Sequence, residues 1–271
     1  MRDATKFDGS IPQQYDRFLG PLLFEPYAAD LAGRLHLAPG ARVLELACGT
    51  GILTRHLLKR LPATGHLVAT DLSDAMLAHA SGRVPPDPRL EWRQADAAAL
   101  PFADRSFNTV VCQFGLMFFP DKPAAAREAR RVLAPGDMLV FSVWDTFEHN
   151  VLGRIVDATI RGFFPADPPE FMRIPFSYAD PDVIRTLLAD ADFSDVVVEE
   201  VSIRGESPSA RAAAMGFVLG NPVATAIRER GTIAPDKVVE AVAEALAAEC
   251  GDHPLRVPMR ALVVTARALG A

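Results

Sequence analysis

Between residues 40 and 145, short apolar runs alternate with longer stretches whose apolar positions recur at helical spacing. Residues 42–46 form a strand-like run that ends in Ala47-Cys48-Gly49-Thr50-Gly51. Behind it Ile52, Leu53, Leu57, Leu58 and Leu61 share a helical face, and the pattern stops at Pro62. Residues 66–71 predict a second strand, and Ser73 caps a helix through Ala80, with Gly82 and Pro85-Pro86 beyond it. Third and fourth strands are predicted over 90–94 and 109–113. A helix over 122–133 carries Pro123 in its first turn and is stopped by Pro135-Gly136. Residues 137–144 make a fifth strand, apolar almost throughout. Strands apolar on both faces need helices on both sides of a parallel sheet, and repeated strand–helix units give right-handed crossovers. The pattern predicts an α/β fold, a doubly wound and mostly parallel seven-stranded sheet.

Past residue 145 the rhythm changes. Residues 145–179 carry Phe147, Phe163, Phe164, Phe171 and Phe176 among prolines, with no clean period. Residues 181–191 return to a helix and 196–203 to a strand. Residues 207–250 read as two alanine-rich helices broken near Asn221-Pro222 and Ala234-Pro235, and 260–267 as the last strand. The expectation is a single domain over 1–271, with a core at 40–145 and insertions at 145–179 and 207–254.

Composition narrows the class. The 271 residues are 49% hydrophobic and 23% charged, which excludes disorder for the bulk and suffices for a large core without staples. Cys48, Cys112 and Cys250 are too few and too scattered for a disulfide framework, and they offer no zinc spacing. The net charge is -6 with no basic run, so the footprint that nucleic-acid binding needs is missing. Residues 1–9 lack the apolar core of a signal peptide, and no run of apolar residues is long enough for a transmembrane helix. A soluble cytoplasmic protein, monomer or homodimer, is expected, with no metal.

The chemistry sits after the first strand. Gly49 and Gly51 allow a ligand to approach backbone N–H groups at a helix start. By itself a Gly-x-Gly is also an ordinary strand-to-helix turn. Asp71 closes the second strand, where a carboxylate suits the two hydroxyls of a ribose. A dinucleotide site would want a third glycine at position 54, which is Thr54. It would also gain nothing from Glu45 inside the first strand, whereas a ligand carrying an ammonium and a sulfonium would welcome that carboxylate.

Val-Leu-Glu-Leu-Ala-Cys-Gly-Thr-Gly at 43–51 resembles the first signature of class I S-adenosylmethionine-dependent methyltransferases. Further pieces follow in order: Thr-Asp-Leu-Ser at 70–73 with Met76, Gln-Ala-Asp-Ala at 94–97, Leu-Pro-Phe-Ala-Asp-Arg-Ser-Phe-Asn at 100–108 and Arg-Arg-Val-Leu-Ala-Pro-Gly at 130–136. The chain is most similar to the ubiquinone/menaquinone-biosynthesis-like group, well over 40–145 and loosely in the flanks. Two departures stand out: Ala47 replaces the usual middle glycine of the first signature, and Asp137 follows Gly136 where a second glycine is common.

The resemblance implies S-adenosylmethionine as cofactor. Backbone around Ala47, Gly49 and Gly51 would line its methionine part, with Glu45 nearby. Asp71 would hold the ribose, and Leu72 and Met76 would sandwich the adenine. Asp96 would accept from the exocyclic amine, with the Ala97 backbone beside the ring, and the Gln113 carbonyl would face the ammonium. Tyr15 resembles the tyrosine that closes over the cofactor, unless it is a surface aromatic.

Methyl transfer is an in-line displacement that needs alignment and exclusion of water more than acid–base groups. Loops at the C-terminal strand ends should build the acceptor side. Phe118, Trp144, Phe163, Phe164 and Phe176 are the candidates, the two insertions acting as a lid; the alternative is that these aromatics only pack an insertion. His149 is the candidate general base, with a structural histidine as the alternative. The expected partner is a small, apolar or aromatic acceptor. The rival readings are an NAD(P)-dependent oxidoreductase and a non-catalytic S-adenosylmethionine-binding protein.

Overall fold

Val43, Leu44 and Leu46 are buried on β1 (Arg42–Leu46), and so are the central residues of β2 (His66–Asp71), because both lie inside the sheet and meet helices on each face. The structure is a computed structural model that describes residues 11–270; the residues 1–9 weighed as a leader lie outside the described residues. β3 (Leu90–Gln94), β4 (Phe107–Gln113), β5 (Leu133–Trp144), β6 (Phe193–Ser207) and β7 (Leu255–Ala268) complete a seven-stranded sheet of order β3-β2-β1-β4-β5-β7-β6. β1 to β5 run parallel and β7 pairs antiparallel with β5, from Met138↔Arg267 to Trp144↔Ala261. The expected doubly wound, mostly parallel sheet is the one observed.

β4 and β5 both begin earlier than the apolar runs predict. Phe107 pairs with Leu133 and Thr109 with Met138, so an irregularity in β5 absorbs Pro135 and Gly136 (φ +82°) without ending the pairing. Asp137 gains a partner there: its Oδ2 accepts from Asn108 Nδ2 at 3.0 Å.

The chain forms two compact units. The first comprises residues 27–144, 178–201 and 261–270 and holds most of the sheet, with α2 (Glu25–Gly33, from Tyr27 on), α3 (Ile52–Arg60), α4 (Asp74–Arg83), α5 (Lys122–Val132) and α7 (Pro181–Ala189). The second comprises residues 11–26, 145–177 and 202–260. It contains α1 (Ile11–Gln14), a π-helical stretch Tyr15–Phe24, α6 (Val151–Phe163), α8 (Ala210–Leu219), α9 (Val223–Arg230) and α10 (Pro235–Cys250). Pro21 lies inside the π-helical stretch, where its missing N–H interrupts the ordinary helical ladder.

Two expectations need correction. Residues 145–179 do carry a period: Leu152, Ile155, Val156 and Ile160 form one buried face of α6, masked in sequence by the surrounding prolines and phenylalanines. Residues 207–250 make three helices rather than two, because Pro222 and Pro235 each start a new helix and Gly231 (φ +64°) ends the middle one.

In the second unit, Asn150 is 3% exposed and makes a four-bond clamp. Its Nδ2 donates to Asp145 O at 3.0 Å, Thr146 O at 3.2 Å and Arg260 O at 2.9 Å, while its Oδ1 accepts from Arg260 N–H at 3.1 Å. The Arg260 guanidinium also pairs with the buried Asp145 carboxylate. Removing the amide leaves buried backbone groups unpaired, a loss of ~1–3 kcal/mol for each group stranded. Asn150→Ala should therefore lower stability by about 2–4 kcal/mol. Denaturant melts followed by circular dichroism check this, and an unchanged midpoint would contradict the clamp.

Candidate active site

β1 carries Glu45 into the interior at 1% exposure, and the chain then turns through Ala47 (φ +51°), Gly49 (φ +56°) and Gly51 (φ +79°) into α3. Glycine takes these left-handed angles freely, whereas the Ala47 Cβ costs about 1–2 kcal/mol. The departure from the usual glycine is thus tolerated under strain. Cys48 N–H donates to Thr70 O at 2.8 Å, Gly49 N–H to Asp71 Oδ2 at 2.9 Å and Gly51 N–H to Cys48 O at 2.9 Å. A Cβ on Gly51 would also lie 3.1 Å from Val84 Cγ2 and 3.2 Å from Ala80 Cβ, so α4 closes directly on the turn.

Asp71 is bonded on both oxygens, Oδ2 by Gly49 N–H and Oδ1 by Ser73 N–H at 2.8 Å. Each carboxylate oxygen accepts two bonds, so both keep a lone pair for further donors. Burial pushes its carboxyl above the usual range, and the backbone amides of Ser73, Gly49 and Leu72 pull against that. Leu72 beside it is 53% exposed, while Met76 is 4% exposed. Ser73 Oγ caps α4 by accepting from Met76 N–H at 3.3 Å, and Gln94 Nε2 holds Leu72 O at 3.1 Å. Asp96, exposed beyond β3, uses Oδ1 to accept from Ala98 N–H at 2.8 Å; Ala97 is half-buried.

Thr54 explains why no third glycine is present. Its Oγ1 donates to Glu45 Oε2 at 2.6 Å inside the core. Burial still pushes the Glu45 carboxyl up to about 8, with the Thr54 hydroxyl lowering it and the Asp71 carboxylate raising it. Among the described residues no Lys or Arg pairs with Glu45 or Asp71. The Cys112 thiol is pushed to about 12 and that of Cys48 well above its ordinary value, by burial first and then by these two carboxyls. No group of three or more His, Cys, Asp or Glu among the described residues is placed to hold a metal.

The turn after β4 faces the turn after β1. Gln113 is half-buried at the end of β4, and Phe114 follows at φ +53°. A Cβ on Gly115 would lie 2.6 Å from Ala47 Cβ and 2.7 Å from Cys112 Sγ. Phe118 is half-buried in the one-turn helix Leu116–Phe118. Trp144, 4% exposed, stacks on Phe114 with centroids 3.9 Å apart.

The structure therefore gathers Glu45, Ala47, Gly49, Gly51, Asp71, Leu72, Met76, Asp96, Ala97 and Gln113 at the C-terminal ends of β1 to β4. Phe118 and Trp144 lie in the same unit, whereas Tyr15, His149, Phe163, Phe164 and Phe176 belong to the second. There Tyr15 stacks on Phe24 with centroids 4.8 Å apart, and His149 is exposed in a turn where its N–H donates to Thr146 O at 3.1 Å. Phe164 is buried with the Arg230 guanidinium 5.6 Å from its ring centroid. Phe176 lies 4.6 Å from Phe147 beside Gly153, and Phe163 is half-buried at the end of α6. Sequence reasoning missed the Thr54 bond to Glu45 and the role of Gly115. The inward position of Glu45 on β1 called for a buried donor, and a lone glycine after a strand signals nothing specific.

The raised Glu45 carboxyl has a stability consequence. Between its unfolded value and about 8 the folded chain keeps a proton that the unfolded chain has lost. Stability from that proton is complete below the unfolded value and declines as pH rises to about 8, by up to ~1.4 kcal/mol per pH unit. Glu45→Gln keeps an acceptor for Thr54 and should flatten the decline. Urea melts across this window compare the two, and parallel slopes for variant and wild type would contradict a protonated Glu45.

Residues 43–136 match the family model described as a methyltransferase domain. The chain is 44% identical over 102 residues to the 2-phytyl-1,4-naphtoquinone methyltransferase of Thermosynechococcus vestitus, covering 38% of this chain and 45% of that one. It is 32% identical over 173 residues to the ubiquinone/menaquinone biosynthesis C-methyltransferase UbiE of Shewanella oneidensis, covering 58% of this chain and 68% of that one. The first match thus spans about half the relative's length. The fold resembles Haemonchus contortus phosphoethanolamine N-methyltransferase 2, solved with S-adenosyl-L-methionine, at a TM-score of 0.63 and 16% identity over 99% of this chain and 59% of that one. Shared signature, shared fold and a relative matched over two thirds of its length agree, and the chain belongs to the class I S-adenosylmethionine-dependent methyltransferases, in the group of the ubiquinone/menaquinone-biosynthesis enzymes.

Proposed function

We propose that this chain transfers a methyl group from S-adenosylmethionine to a small apolar or aromatic acceptor, with a quinol-type ring as the first candidate. The observation that carries the cofactor half is the pair of carboxyls, Glu45 and Asp71, set beside the glycine turn with, among the described residues, no cationic side chain paired to either. A pyrophosphate would gain nothing from Glu45 and meets Thr54 where it needs a third glycine, whereas a ligand bearing an ammonium and a sulfonium would favour the ionised form of Glu45. This disfavours the dinucleotide alternative. The acceptor half rests on the names of the two curated relatives, both enzymes of quinone rings.

The bound cofactor supplies an electrophilic methyl group. The chain's own residues hold and aim it. The free lone pairs on Asp71 accept from the two ribose hydroxyls. Leu72, exposed beside Asp71, and Met76 flank the adenine, and Asp96 Oδ2 accepts from its amine while the Ala97 backbone lies alongside. Backbone at Ala47, Gly49 and Gly51, with the Gln113 carbonyl, takes the methionine end. The transfer would be an in-line displacement, the acceptor's electron pair taking the methyl and the methyl–sulfur pair staying on sulfur, so the chain's part is to align the acceptor and exclude water. Charge is lost from the centre, so dry apolar surroundings favour the step. Tyr15 is assigned to cofactor closure and His149 to proton removal from acceptors that arrive protonated. Phe118 and the aromatic residues Phe163, Phe164 and Phe176 of the insertions are assigned to acceptor selection as a lid.

Asp71→Ala should weaken S-adenosylmethionine binding by about 2–4 kcal/mol, through lost charge-assisted bonds to a diol. Asp96→Ala should cost less, since it meets one amine. Calorimetric titration of folded variants measures both, and NADH binding as tight as S-adenosylmethionine in the wild type would overturn the cofactor reading.

Turnover on a panel of quinols, phenols and amines tests the acceptor. Phe163→Ala should shift selectivity across that panel while cofactor affinity stays within about threefold, because a lid acts on alignment and desolvation. A lower melting temperature with unaltered kinetics would make this aromatic residue packing alone.

A further inference from the structure

Phe114 is a bulky residue at φ +53°, an angle that L side chains rarely adopt and that a glycine would take without strain. A conformation of this kind persists only where its surroundings over-determine it. Here they do so from three sides. Phe114 N–H donates to Ser142 O at 3.0 Å, on the strand that also carries Trp144. The Phe114 and Trp144 rings stack at 3.9 Å with 6° between their planes. Tyr27, from α2, meets both edge-on, at 5.3 Å and 5.2 Å, and its own hydroxyl donates to Val201 O at 3.1 Å. The three residues are 1%, 5% and 4% exposed for Tyr27, Phe114 and Trp144.

The next residue transmits this geometry. Gly115 sits against Ala47 with no room for a methyl group, and Ala47 is itself left-handed at φ +51°. The two turns that end β1 and β4 thus meet where left-handed Ala47 touches the residue that follows left-handed Phe114, across a contact without slack. Rotation at Phe114 would move the Gln113 carbonyl on one side and Ala47 on the other.

We infer that Trp144 and Tyr27 are positioning residues: they lock Phe114 in its left-handed conformation and, through Gly115 seated on Ala47, fix the two turns that take the methionine end of the cofactor. The inference rests on the cofactor reading above for the identity of the ligand. It gives Trp144 a different task from acceptor contact, since one face of its indole is covered by Phe114.

The test is calorimetric titration with S-adenosylmethionine of the wild type, Trp144→Leu, Trp144→Phe, Gly115→Ala and the double variant Ala47→Gly/Gly115→Ala, each with a melting curve. Trp144→Leu and Gly115→Ala should each weaken binding at least about tenfold, while Trp144→Phe, which keeps a flat ring, should stay within about threefold. Ala47→Gly should restore part of the loss in the double variant, because it removes one of the two atoms that Gly115→Ala meets, the other being Cys112 Sγ. A folded Trp144→Leu that binds like wild type but changes the acceptor KM would overturn the inference, as would purely additive effects in the double variant. If Trp144→Leu does not fold, the Gly115 pair decides. If the wild type itself does not bind, the cofactor reading falls, and the lock is judged on whether Ala47→Gly recovers the melting temperature lost by Gly115→Ala.

Discussion

The bridge that Asp71 makes between two backbone amides organises the edge of the sheet where the signatures converge. One carboxylate ties the turn after β1, through Gly49, to the turn that starts α4, through Ser73. Backbone N–H groups at a helix start are otherwise left to water or ligand. By taking one from each turn, Asp71 holds both in place while its remaining lone pairs stay available. The same side chain is thus a brace held in the interior, and the desolvation it suffers is part of that arrangement.

Around it the charge balance is one-sided. Glu45 shares its hydrogen bond with a neutral hydroxyl, and Asp71 with neutral amides. Protein interiors ordinarily compensate buried acids with cations or protons. At this site burial favours a proton on Glu45, and among the described residues no cation pairs with either acid. The acidic pair is therefore built on β1 and β2 rather than on a surface loop.

Much of this was legible from the chain. The βα rhythm over 40–145, Gly49 and Gly51, and Asp71 at a strand end are local patterns, and local patterns survive folding intact. What could not be read depends on pairs far apart in sequence. Thr54 reads only as a missing glycine until the helix carries its hydroxyl to Glu45. Tyr27, Phe114 and Trp144 come from a helix, a turn and a strand, and nothing in their spacing announces a stack. The helical period of α6 was hidden for a different reason: its polar flanks and the nearby prolines diluted a pattern that burial makes plain. The three helices of 207–250 show the opposite lesson, since both breaks were visible and only the number of helices they leave, three rather than two, was misjudged.

Leu72, left 53% exposed between Asp71 and the start of α4, gives the ligand-free protein a patch of apolar surface in contact with water. Covering that patch releases ordered hydration, and burial of apolar area lowers heat capacity. On the proposed reading, affinity at this edge has two parts with different responses to temperature: the bonds of Asp71, and the shielding of Leu72, whose enthalpy grows more favourable as the protein warms. An organism that changes one leucine at this position would alter how affinity varies with temperature while leaving the hydrogen-bonding pattern untouched.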